Sequence, residues 1–70
     1  MNEKVNKRLE RIKEMVAAIQ SSSKCILMDV DDVESVEDMF VIEHNFDMIR
    51  RIASDAVDYV RETEDEFDGE

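Results

Sequence analysis

Carboxylates are the side chains of this chain with the best prospect of doing chemistry, and they are densest at Asp29, Asp31, Asp32, Glu34, Glu37 and Asp38. Acidic residues at such spacing suggest a calcium loop. An EF-hand loop opening at Asp29 needs an oxygen ligand, a glycine and a glutamate at its fifth, sixth and last positions. The chain has Val33, Glu34 and Phe40 there, so the cluster reads instead as a solvated, cap-rich entry to a helix. His44 is the sole histidine. Val41 occupies the place where an E-x-x-H metal motif needs glutamate, and His44 reads as a surface residue. Cys25 is the sole cysteine, with no histidine or orienting group close in sequence to make it a nucleophile. It reads as a small, partly buried residue. No catalytic residue, metal ion or cofactor is expected, and the chain reads as a non-enzyme.

A second carboxylate set has a wider spacing. Glu34 and Glu37, followed by Asp55 and Asp58, are similar to the E-x-x-E…E-x-x-D pattern of the all-α nucleoside triphosphate pyrophosphohydrolases. The resemblance covers those four residues. It implies Mg²⁺ held between helices by converging carboxylates. The first member of the second pair is Asp here, and no turn signal separates the pairs. On one continuous helix they stand over ~25 Å apart, so only another chain could bring them together.

The elements that carry these residues follow from composition and period. The 70 residues include no proline and one glycine, with 43% hydrophobic and 40% charged residues. Few turn-formers, many charges and a periodic apolar pattern describe long helices in one all-α domain. Val5, Leu9, Ile12, Val16 and Ile19 form a seam with 4, 3, 4, 3 spacing. Asn2 is placed to cap it. Ser21, Ser22 and Ser23 are expected to stop it, because serine hydroxyls compete with helical hydrogen bonds. The first helix is therefore expected over about residues 3–21. Residues 22–31 read as a connection, an apolar loop tucked under the helix ends, with an alternating Ile26, Met28, Val30 stretch. Ser35 and Asp38 resemble a capping box, with Asp in place of Glu or Gln. Met39, Ile42, Phe46, Ile49, Ala53, Ala56 and Val60 form the second seam, which predicts one helix over about residues 33–65. An acidic tail at 66–70 is expected to fray. The fold class is thus an antiparallel helical hairpin, with a short first helix and a long second one.

So small a chain hides only about 60% of its unfolded surface on folding, and domains of this size usually need a staple. One cysteine rules out an internal disulfide. The long second helix also carries more apolar surface than a short partner covers. A homodimer forming a four-helix bundle is expected. The lone thiol, the missing signal-peptide pattern and the absence of a long apolar run suggest a soluble, cytoplasmic protein that stays off membranes.

The net charge is −10, yet residues 1–24 hold six cations against Glu3, Glu10 and Glu14, a local +3. The segments attract each other, and the surplus acid disfavours direct binding to nucleic acid. The leading reading is a small acidic interaction or regulatory protein, in the style of bacterial or phage accessory proteins. Met48, Ile52, Val57 and Tyr59 are the expected contact residues toward a second copy or another protein. An alternative uses the carboxylates of Glu43, Asp47, Asp58 and Glu62 to imitate nucleic-acid phosphates and occupy the site of a basic protein. The Mg²⁺-dependent pyrophosphohydrolase is the distant third.

Overall fold

The computed structural model describes residues 3–68, which form two α-helices joined by an acidic turn. Helix α1 spans Glu3–Val30 and helix α2 spans Val36–Asp68. They pack as an antiparallel hairpin with Cα extents of 54 × 15 × 10 Å. Among the described residues there is no strand, so the all-α hairpin is as the periodicity predicts. The proposed cap at Asn2 and the last two residues of the acidic tail lie outside the described residues. Residues 66–68 of that tail are helical.

The expected stop at the serines does not occur. Helix α1 runs through Ser21, Ser22 and Ser23 and takes in residues 24–30, which were expected to form the connection. Three serines in place of alanine cost about 1–1.5 kcal/mol in helix propensity. Continuing the helix carries Ile26 onto the face that meets α2, where it is 7% exposed. Burying such a side chain contributes ~1.5–3 kcal/mol, which outweighs the serines. Cys25 consequently rides on the helix and is exposed, not part-buried in a loop. The helices have 28 and 33 residues, or ~42 and ~50 Å. The short-against-long description fails, and with it the argument from a length mismatch.

The connection is shorter than predicted, residues 31–35, and it is exposed. The Asp32 amide donates to the Asp29 carbonyl at 3.0 Å and closes the end of α1. Helix α2 then begins on a true capping box. The Asp38 amide donates to Ser35 Oγ at 3.4 Å, and Asp38 Oδ2 accepts from the amides of Ser35 at 3.2 Å and Glu34 at 2.9 Å. These bonds satisfy amides that a helix start otherwise leaves open.

The stripe joining the helices is rotated from the predicted seams. Buried or half-buried positions recur at 5, 8, 12, 15, 19, 22, 26 and 29 on α1 and at 42, 45, 49, 52, 56, 59, 63 and 66 on α2, with 9, 23, 38, 47 and 53 half-buried beside them. Each stripe keeps one predicted column, Val5–Ile12–Ile19 and Ile42–Ile49–Ala56. The other predicted column, containing Val16 on α1 and Met39, Phe46 and Val60 on α2, is replaced in the contact by residues one position earlier. Among the described residues, the buried apolar side chains are Val5, Ile26 and Ile42.

Candidate interaction surfaces

At the open end of the hairpin, Arg8 holds the helices together. Its Nε donates to Thr63 Oγ1 at 2.8 Å, and its NH2 group donates to the Tyr59 carbonyl at 3.2 Å and to Glu62 Oε2 at 3.3 Å. The guanidinium also lies over the Tyr59 ring, 3.9 Å from its centroid. Thr63 Oγ1 donates in turn to the Tyr59 carbonyl at 2.8 Å. Lys4 pairs with Glu66 at 3.1 Å beyond this cluster. These contacts set the register: residue n of α1 stands level with residue ~69 − n of α2, since 1.5 Å steps run in opposite directions. Arg8 was not singled out from the sequence. Its signal was its place three residues after Val5, on the contact stripe.

The columns displaced from the contact form the first surface. Leu9, Val16 and Val30 on α1, and Phe46, Val60 and Phe67 on α2, each follow a contact position by four residues, and Met39 continues the α2 column seven residues before Phe46. A four-residue step turns ~40° in the same sense on each helix. Because the helices are antiparallel, this common sense brings both columns to the same broad side of the hairpin. Leu9 is half-buried, and the other six are exposed. Val57 borders this side, sharing a shallow groove with Val60 and Ala56. The opposite broad side is more polar: Arg11, Glu14 and Asp55 surround a small depression at Met15, Ala18 and Ile52. The exposed apolar side chains are therefore concentrated on one broad side, with Val41 and Met48 on the other.

The turn end is the second surface. Leu27, at 71% exposure, stands there with Met28, Val30, Val36 and Phe40, all exposed. They alternate with the carboxylates of residues 29–38. Phe40 and Phe46 also line a shallow groove with His44 and Arg50 on the outer side of α2.

The four expected contact residues do not share one face. Ile52 and Tyr59 lie half-buried on the contact stripe, within the chain's own helix pair. Met48 is exposed on the more polar side, and Val57 is exposed on the apolar side. The four acidic-face residues divide as well. Asp47 is bound by Arg50 and by Arg51 at 3.1 Å, and the Arg50 hydrogen bond holds its carboxyl below the usual aspartate range. Glu62 is paired with Arg8. Glu43 and Asp58 are exposed without an ion pair among the described residues. Two of the four charges are thus offset by arginine.

Among the described residues, no group of three or more His, Cys, Asp or Glu side chains is arranged to hold a metal ion. Glu34 and Glu37 lie at the turn end, while Asp55 and Asp58 lie ~27 and ~32 Å along α2 from Glu37 toward the open end. No described helix is long and apolar enough to cross a membrane. No protein-family model matches this chain, and no curated protein or solved structure matches it either.

Proposed function

We propose that this chain is a non-enzymatic interaction protein that acts as a helical homodimer. The observation that carries this reading is the apolar column on each helix, both exposed on one broad side. Among the described residues three buried apolar side chains make a thin core, and chains of this size commonly complete the core by association. Two such hairpins placed face to face form a four-helix bundle with the displaced columns inside. The side measures 54 × 15 Å between Cα extremes, a footprint of roughly 800 Å², the area each partner contributes to a standard interface. The turn end stays outside the bundle and, with its mixed apolar and acidic surface, is where a further protein docks.

The test is mass in solution by sedimentation equilibrium. The expected value is twice the 8.2 kDa of one chain. Val16→Asp combined with Phe46→Asp should return the mass to one chain and reduce helicity, whereas Met48→Asp on the other side should leave the dimer intact. A parental protein of single-chain mass at micromolar concentration overturns the reading.

A further inference from the structure

Resting on the homodimer reading, we infer that the second copy docks with its turn at the same end as the first, so that each α1 lies against the partner's α2. Two face-to-face arrangements of antiparallel hairpins are open. With the two-fold axis along the bundle, α1 meets the partner's α2 and the turns coincide in level. With the axis across the bundle, α1 meets α1, α2 meets α2, and the turns lie at opposite ends.

Charge separates the two. Helix α1 carries six cations and four carboxylates, a net +2, and α2 carries three arginines and eleven carboxylates, a net −8. The crossed arrangement sets −8 beside −8 at the ~8–10 Å spacing of packed helices. The aligned arrangement sets +2 beside −8 twice and moves the two α2 helices to the diagonal, ~14 Å apart. That exceeds the Debye length of ~8 Å at physiological salt. It does bring the two acidic turns to one end, but their carboxylates are mostly exposed and well screened.

The apolar register agrees with the aligned arrangement when the two hairpins are centred on each other. In the aligned arrangement levels are preserved, so residue n of α1 faces position ~69 − n of the partner. Leu9 then meets the level of the partner's Val60, Val16 that of the partner's Ala53, and Val30 that of the partner's Met39. The crossed arrangement sets Met39 near the level of the partner's Glu64, Val60 near the partner's Glu43, and Val30 near the partner's Glu3. The apolar columns there fall out of level with one another.

The experiment measures the distance between turns. Cys25 is replaced by serine, Val33→Cys is introduced in the exposed turn, and the spin-labelled dimer is examined by pulsed electron paramagnetic resonance. Asp31→Cys serves as an independent second site. The aligned arrangement gives about 20–25 Å, from the ~10 Å helix spacing plus the label arms. A distance near the 54 Å length of the hairpin overturns the orientation and leaves the homodimer standing. Absence of dipolar coupling together with single-chain mass overturns the homodimer itself. A short distance at both sites supports the inference.

Discussion

Arg8 shows how much one side chain contributes when its geometry is shared. It donates to a hydroxyl, a carbonyl and a carboxylate, and it covers an aromatic ring. Its side chain is only 18% exposed, whereas Glu62 is 68% exposed. The Glu62 pair is therefore screened and contributes little. The weight rests on the Thr63 and Tyr59 contacts, because losing Arg8 leaves Thr63 without its donor and opens the ring to water. Arg8→Ala should lower stability by about 1–2 kcal/mol, read from urea denaturation. Arg8→Lys should recover only part of this, because an ammonium cannot reproduce the planar fork. A full recovery by lysine would mean that charge alone matters.

At the scale of the element, the entry to α2 is built by reciprocal hydrogen bonds between Ser35 and Asp38. The Glu34 amide, more than any other group, holds the Asp38 carboxyl below its ordinary value of 3.8, with Ser35 adding to the effect. A carboxyl whose pKa is lowered on folding stabilises the folded state above its unfolded pKa. That contribution is lost as pH falls through the lowered folded value. Below pH 3.8 the start of α2 should therefore loosen. Carboxyl titration by NMR should give Asp38 a midpoint below 3.8, and Ser35→Ala should move it upward. A midpoint at or above 3.8 would show that the capping box does not hold in solution. The end of α1 has the opposite character. It has no basic residue in its last turn, and Asp29, Asp31 and Asp32 crowd the negative end of its dipole. Packing of Ile26 holds this end in place.

At the scale of the whole molecule, the proposed homodimer would couple folding to association. Among the described residues the buried apolar side chains are few, and in the proposed dimer a second copy would add hydrophobic stabilisation by covering Val16, Phe46 and Val60. Anything that binds the folded state and not the unfolded one raises the melting temperature with concentration. The Tm should accordingly rise by several degrees between low-micromolar and near-millimolar chain concentration, followed by circular dichroism. A Tm independent of concentration, with single-chain mass, would mean that the hairpin is stable alone.

Much of this architecture was legible in the amino-acid order, because hydrophobic period is a local property. The missing proline, the 3-4 spacing from Val5 to Ile19 and from Met39 to Val60, and the Ser35–Asp38 pair determined two helices and the cap between them. The spacing also determined that each helix has two apolar columns. It did not determine which column meets which partner, since an a/d seam reads the same whether its columns face one neighbour or two. The tertiary structure decided that. It turned Ile12, Ile49 and Ile52 inward and left Val16, Phe46 and Val60 on the broad side. It likewise carried α1 past three serines, because burial of Ile26 against α2 is a long-range gain that helix propensity does not contain.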